Sequence, residues 1–126
     1  MTIAEVSRKY DISQDTLRYY ERIGLIPGVN RGKGGIRDYT EEDCRWVEFA
    51  KCMRGAGLSI EVLIEYLSLV QQGDCTVAAR KDLLIEQRSQ LAARIEEMQQ
   101  TLQRLDRKIE FYEQKVLARE KDLLKQ

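Results

Sequence analysis

The 126-residue sequence has no histidine, one proline and only three cysteines. Without histidine, imidazole acid–base catalysis and zinc sites that combine cysteine with histidine are excluded. Cys44, Cys52 and Cys75 are an odd number of thiols at unmatched spacings, which does not predict a disulfide framework. There is also no C-x-x-C pair and no cofactor-binding loop. We therefore expect neither an enzyme nor a bound cofactor or metal.

Long hydrophobic runs are missing as well. No apolar run approaches the roughly 18 residues that a membrane span needs. Residues 1–6 lack the basic and apolar blocks of a signal peptide. We therefore expect a cytoplasmic protein with no membrane partner. With 43% hydrophobic and 33% charged residues, the composition is typical of a soluble, helix-rich chain.

The charge is balanced overall but uneven along the chain. Basic and acidic residues number 21 each, so the formal net charge is zero. Between residues 16 and 37, however, five cations accompany a single acid, Glu21. Local charge matters more than the sum for a polyanion partner, so this segment is compatible with nucleic acid without identifying it. The five cations are Arg18, Arg22, Arg31, Lys33 and Arg37.

The first 24 residues have the pattern of a helix-turn-helix. Ile3, Val6 and Tyr10 recur at helical spacing, and a break follows at residues 11–13. Ser13 can cap the N-terminus of a second helix that ends at Gly24, a residue suited to a C-terminal cap. The apolar stripe predicted for this helix is Leu17, Tyr20 and Ile23.

Residues 25–39 predict a small β-hairpin, or wing. Four of the eight glycines lie between Gly28 and Gly35, and the flanking residues alternate between apolar and polar. This pattern predicts two short strands joined by a flexible basic tip.

Two further helices follow the predicted wing. Thr40 and Asp43 form a candidate capping box for a third helix, and Ser59 can cap a fourth. On the third helix we expect Cys44 to point away from the core and Cys52 to lie at the border of the apolar face. The apolar face expected there consists of Trp46, Phe49, Ala50 and Met53.

After about residue 76 the chain contains no glycine or proline, which predicts one helix of roughly 50 residues, about 75 Å long. From Leu84, alternating steps of four and three residues meet an apolar or aromatic side chain at ten of twelve positions. Such a seam needs cover, and a second copy of the helix supplies it, since the head needs its own apolar faces. The alternative is that the helix folds back on its own head, and the residues alone do not decide between parallel and antiparallel pairing. The seam is Leu84, Arg88, Leu91, Ile95, Met98, Leu102, Leu105, Ile109, Tyr112, Val116, Arg119 and Leu123.

The sequence therefore predicts a mainly α protein with two parts: a winged helix-turn-helix head over residues 1–73 and a dimerisation coiled-coil helix over residues 74–126. A helix-turn-helix places its second helix in the major groove, while the wing contacts phosphates or the neighbouring minor groove. The helix capped by Ser59 offers free amides to a further phosphate. The other candidate contacts at this point are Thr16, Arg18, Tyr19, Arg22, Lys33 and Arg37.

Three segments resemble the MerR family of bacterial regulators: TLRYYERIGLI at residues 16–26, GIRDY at residues 35–39 and GLSI at residues 57–60. The resemblance implies an antiparallel coiled-coil homodimer on a palindromic operator, inside a promoter whose spacer is too long. Family members activate by bending and untwisting that spacer so that RNA polymerase engages both promoter elements. By position, the resemblance implies DNA contacts from Arg18, Tyr19 and Arg37, followed by Tyr39 and Ser59.

The signal that the regulator senses is less determined by the sequence. The metal-sensing branch uses several cysteines, of which Cys75 matches only the first, and one thiolate per subunit is a poor soft-metal site. Residues 46–61 are similar to a short branch that responds to reactive aldehydes and electrophiles through a cysteine at the place of Cys52. We expect Cys52 to be the thiol sensor, Cys75 to be second and Cys44 last. A metal sensor using Cys75 and an effector-independent DNA-bending protein are the alternatives.

Overall fold

The computed structural model describes residues 1–124, which form five α-helices and two short 3-10 turns. The turns are Lys33–Gly35 and Asp74–Thr76. Among the described residues, no helix has both the length and the apolar character needed to cross a membrane. The helices are α1 (Ile3–Tyr10), α2 (Gln14–Ile23), α3 (Glu41–Gly55), α4 (Ile60–Gln71) and α5 (Val77–Leu124).

The chain divides into two compact units within α5, after Gln87. The sequence placed the boundary earlier, between residues 73 and 74. The first turns of α5 fall in the unit that contains the head, and Arg80, Leu83 and Gln87 are half-buried there.

Local capping sets the bounds of α1 and α2. The Ser13 hydroxyl accepts a hydrogen bond from the Thr16 amide at 3.0 Å, which confirms its role as the cap of α2. Gly24 ends α2 with φ of 85°, a left-handed conformation that favours glycine, and its amide bonds to the carbonyls of Tyr20 and Glu21. A three-residue break, residues 11–13, therefore separates the two helices of the helix-turn-helix.

The wing, which the sequence predicts over residues 25–39, is limited to residues 29–38 in the structure and is thinner than predicted. A single antiparallel bridge pairs Arg31 with Arg37, and no β-strand forms within residues 1–124. Three of the five residues between these arginines are glycine, which provide no side chains to pack, and Gly34 and Gly35 have φ of 74° and 75°. The expectation of a two-stranded hairpin was therefore wrong in extent.

The buried face of α3 differs from the predicted one. The capping box is confirmed, since the Thr40 hydroxyl accepts from the Asp43 amide at 3.1 Å and the Asp43 carboxylate accepts from the Thr40 amide at 2.9 Å. Cys44 is 4% exposed and joins the core, so the expectation that it points outward was wrong. Small side chains of α3 face the core where α1 packs against it, and the larger aromatics lie half-exposed on the flank.

The flanking aromatics of α3 form a cluster with α4. Trp46 meets Phe49 edge to face with ring centroids 5.9 Å apart, and the Tyr66 ring lies 6.0 Å from Trp46 and 5.5 Å from Phe49. Beneath them is one core formed by the head. Its buried residues are Val6, Leu17, Leu25, Ile26, Val29, Tyr39, Cys44, Val47, Ala50, Leu58 and Leu63.

The second unit, from Arg88 onward, is helical through Leu124. Its apolar side chains are exposed in this single chain: Ile95 is 48% exposed, Leu102 59% and Ile109 56%. Tyr112 and Val116, further along the predicted seam, are 57% and 53% exposed. The seam is therefore an unburied apolar stripe, which water disfavours by roughly 1.5–3 kcal/mol for each large side chain.

Candidate nucleic-acid interface

The orientation of α2 follows from the burial of one side. Leu17 is fully buried, and Tyr20 and Ile23 are half-buried, as the helical spacing predicted. Arg18 and Arg22 are exposed in consequence. A helix anchored in this way presents its cationic side to solvent, which is the arrangement that a recognition helix requires.

Arg18 makes two exchangeable contacts on the surface of α2. Its Nη1 donates to the Asp15 carboxylate at 2.9 Å, and its Nη2 donates to the Gln14 side-chain oxygen at 3.3 Å. The Asp15 side chain is 97% exposed, so water and salt screen this ion pair strongly. A phosphate or a guanine edge can therefore replace Asp15 at little cost.

The other predicted contacts on α2 are also placed by local interactions. The Arg22 guanidinium lies over the Tyr19 ring, 5.4 Å from its centroid, and Tyr19 is 39% exposed. The Thr16 hydroxyl shares a hydrogen bond of 2.7 Å with that of Ser13. Thr16 therefore lies at the N-terminus of α2, and Arg18, Tyr19 and Arg22 lie further along it.

The two wing cations differ in environment. Lys33 is exposed at the tip, whereas the side chain of Arg37 is only 21% exposed. Arg37 Nε donates to Glu21 Oε1 at 2.6 Å, and the second oxygen of the same carboxylate accepts from the Val29 amide at 3.2 Å. In the sequence, Glu21 stood out only as the single acid among five cations, and its partners were not predicted. A single acid in a basic segment was the feature of the sequence that could have indicated an ion pair.

The structure places Tyr39 in the core. It is 2% exposed, and its buried hydroxyl has no hydrogen-bond partner among the described residues. Burial raises the pKa of the Tyr39 phenol above its usual range. This hydroxyl is thus buried in the single chain, and the DNA contact that the resemblance implies for Tyr39 stays a prediction.

Ser59 acts as the cap of α4, as predicted. Its hydroxyl accepts from the Val62 amide at 3.2 Å, which satisfies one of the free amides at this helix start. The remaining amides and the helix dipole are compatible with a phosphate contact.

The three thiols lie in different environments. Cys44 is buried, whereas Cys52 and Cys75 are exposed. Cys52 lines an open cleft of about 420 Å³ together with Lys9, Tyr10, Asp11, Glu48, Lys51 and Gly55. The Cys75 thiol donates to the Gln72 carbonyl at 3.7 Å. Over residues 1–124, no three His, Cys, Asp or Glu side chains are grouped so that they could hold a metal ion.

These features define a class of protein, the sequence-reading DNA-binding proteins. They are a helix-turn-helix with exposed cations on its second helix, a basic wing and a long C-terminal helix. Two family models match the chain, "MerR HTH family regulatory protein" over residues 1–69 and "MerR, DNA binding" over residues 44–108. The chain belongs to the MerR family of DNA-binding transcriptional regulators.

Relatives and solved structures agree with this membership. The HTH-type transcriptional regulator AdhR of Bacillus subtilis strain 168 is 58% identical over 91 residues, which cover 72% of this chain and 65% of that regulator. A crystal structure from Listeria monocytogenes assigned to the MerR family has a TM-score of 0.92 at 48% identity, and it covers 98% of this chain and 93% of its own. HiNmlR, described as a MerR family regulator lacking the sensor domain and bound to promoter DNA, has a TM-score of 0.83 at 31% identity, with 90% of each chain covered.

We predict that Tyr39→Phe raises the free energy of unfolding by about 1 kcal/mol, because it removes a buried hydroxyl that has no partner. Because burial raises the pKa of the folded-state phenol, the unfolded chain loses this proton at a lower pH than the folded protein does. The fold is therefore not penalised by ionisation of Tyr39 below the unfolded pKa, and it is penalised above that pKa. Wild-type stability should therefore fall as the pH rises past about 10, more steeply than that of the variant. Chemical denaturation at several pH values measures both effects. Operator affinity should stay unchanged if the hydroxyl remains in the core when DNA binds, and weaker binding by Tyr39→Phe would assign the hydroxyl a DNA contact.

Proposed function

We propose that this regulator binds a palindromic promoter operator as a homodimer and activates transcription by distorting the promoter spacer for RNA polymerase. A cysteine thiol, first Cys52, senses reactive aldehydes or other electrophiles in the cytoplasm and switches that distortion. The observation that carries the DNA-binding part is the exposed cationic side of α2 beside the basic wing. The contacts proposed with DNA are Thr16, Arg18, Tyr19, Lys33, Arg37 and Ser59.

Sequence reading belongs to α2, and phosphate positioning belongs to the wing and the start of α4. Arg18 has the geometry for a guanine edge or a phosphate once Asp15 is displaced, whereas Lys33 and Arg37 supply point charges to the backbone. The solved complex of HiNmlR with promoter DNA supports binding of promoter DNA by this fold, which the two chains share at a TM-score of 0.83. Deforming the promoter spacer costs free energy that the backbone contacts of two heads offset.

The homodimer is supported by the unburied stripe of α5. Its large apolar side chains recur on one face at alternating steps of four and three residues, the spacing of a coiled-coil seam. A second copy covers such a stripe symmetrically and spaces two reading heads on one palindrome. The family resemblance supports an antiparallel arrangement of the two helices.

Thiol sensing is supported by the accessibility of Cys52. An aldehyde adds to a thiol by forming a bond between sulfur and the carbonyl carbon, and the thiol proton passes to the carbonyl oxygen. Cys52 is exposed in an open cleft where this addition meets no obstacle, whereas Cys44 is closed to it at 4% exposure. The added group lies between α1 and α3, where it changes the contacts that support the recognition helix.

We expect Arg18→Ala to weaken operator binding by about tenfold and to lower the salt slope by about one if Arg18 contacts a phosphate. Gel shifts at several salt concentrations measure both. Arg104→Ala is the matched control, because it removes the same charge from an exposed position on α5. Equal affinities for the two variants would remove Arg18 from the interface.

A second prediction concerns the dimer. Ile109 and Phe111 are 56% and 55% exposed in the single chain, but their side chains point about 200° apart around α5. Only Ile109 lies on the seam, so Ile109→Lys should give monomers by sedimentation velocity at micromolar protein, and Phe111→Lys should stay dimeric. A monomeric wild-type protein, or the same shift for both variants, contradicts the proposed dimer.

The sensor is tested with Cys52→Ala in a promoter reporter. This variant should keep operator binding but lose induction by an aldehyde or a thiol-alkylating agent, because the reactive sulfur is gone. Cys75→Ala, which also removes an exposed thiol, should remain inducible. The reverse pattern assigns sensing to Cys75, and full induction of the double variant indicates a regulator without a thiol sensor.

A further inference from the structure

One carboxylate of α2 bonds to both legs of the wing. Glu21 Oε1 accepts from Arg37 Nε at 2.6 Å on the returning leg, and Glu21 Oε2 accepts from the Val29 amide at 3.2 Å on the outgoing leg. The Glu21 and Arg37 side chains are only 16% and 21% exposed, so water screens this pair far less than the Arg18–Asp15 pair. The carboxylate thus bridges the wing and the helix that carries Arg18 and Tyr19.

Elsewhere the wing is held at its base, where Val29 is buried in the core and the Asp38 carboxylate accepts from the Met1 ammonium at 3.1 Å. Its legs share one bridge, with hydrogen bonds from the Gly32 amide to the Ile36 carbonyl at 2.7 Å and from the Asp38 amide to the Asn30 carbonyl at 2.8 Å. These bonds join the legs to each other and not to α2. A two-stranded ribbon of this size is marginally stable by itself.

We propose that Glu21 is a positioning residue for DNA binding: it sets the wing at a fixed offset from the recognition helix and orients the Arg37 guanidinium. Arg37 gives only its Nε to Glu21, and within residues 1–124 its two Nη groups make no hydrogen bond, so both remain available to a phosphate. The inference rests on the proposed DNA contacts of Arg37 and Lys33. The role of Glu21 is indirect, since a carboxylate does not bind phosphate.

The positioning role and simple electrostatics predict opposite changes in operator affinity when the Glu21 charge is removed. Removing an acid from a DNA-facing surface lowers its repulsion with the phosphates and should tighten binding. Glu21→Gln removes that charge and replaces one of the two accepting oxygens by an NH2 group, so either Arg37 Nε or the Val29 amide then faces a donor instead of an acceptor. A positioning role therefore predicts weaker binding from the loss of a negative charge.

The experiment compares Glu21→Gln with Asp15→Asn, which neutralises the other acid of α2 that holds an arginine. We expect Glu21→Gln to bind the operator about tenfold more weakly with a salt slope lower by about one, as for one lost phosphate contact. Asp15→Asn should bind at least as tightly as wild type, because it frees Arg18. In an Arg37→Ala background, Glu21→Gln should cost much less than tenfold, since the two changes act on one contact.

Hydrogen exchange of the DNA-free protein provides a readout that does not depend on the operator. In Glu21→Gln the amides of Val29 and Asp38 should exchange about tenfold faster, while that of Leu17 is unchanged. Faster exchange with unchanged operator affinity would show that Glu21 holds the wing in place, and it would contradict the wing contacts with DNA in the proposed function. Unchanged exchange, tighter operator binding by Glu21→Gln, or full additivity with Arg37→Ala would overturn the positioning role.

Discussion

Burial of Leu17 on α2 is the constraint on which the DNA-binding side of the molecule depends. Leu17 is fully buried in the head's core, and this anchor leaves α2 one rotational setting about its axis. Arg18, Tyr19 and Arg22 then face solvent because a helix turns by about 100° per residue. The cationic side of α2 is thus a consequence of where the core places its apolar side, and the same packing brings Glu21 to the wing.

The two ion pairs of α2 illustrate how burial separates a functional contact from a structural one. Arg18 pairs with an almost fully exposed carboxylate, and such pairs are worth little and exchange readily. Arg37 pairs with a carboxylate that is 16% exposed and that also accepts a backbone amide, so this contact is much less readily exchanged. We infer that Arg18 can exchange Asp15 for a DNA group, whereas Arg37 keeps its bond to Glu21 when it contacts DNA.

The long helix imposes a separate requirement. A stripe that leaves Leu102, Leu105 and Ile109 more than half exposed is too costly in water to remain uncovered. Covering it with a second copy also supplies the two-fold symmetry that a palindromic operator needs. In our proposal the same apolar stripe therefore determines both the oligomeric state and the spacing of the reading heads.

Most helix bounds could be predicted from the sequence because capping and glycine stops are local: Ser13, Gly24, Thr40 and Ser59 act within a few residues of where they stand. The α2 stripe followed from periodicity for the same reason. The buried face of α3 could not be predicted in this way. Periodicity shows that a helix is amphipathic but not which side of it the neighbouring helices cover, and here they cover Cys44. The burial of Tyr39 and the bridge from Glu21 to Val29 and Arg37 also needed the tertiary structure. These contacts join residues 8 and 16 positions apart on different segments, and only packing brings such pairs together.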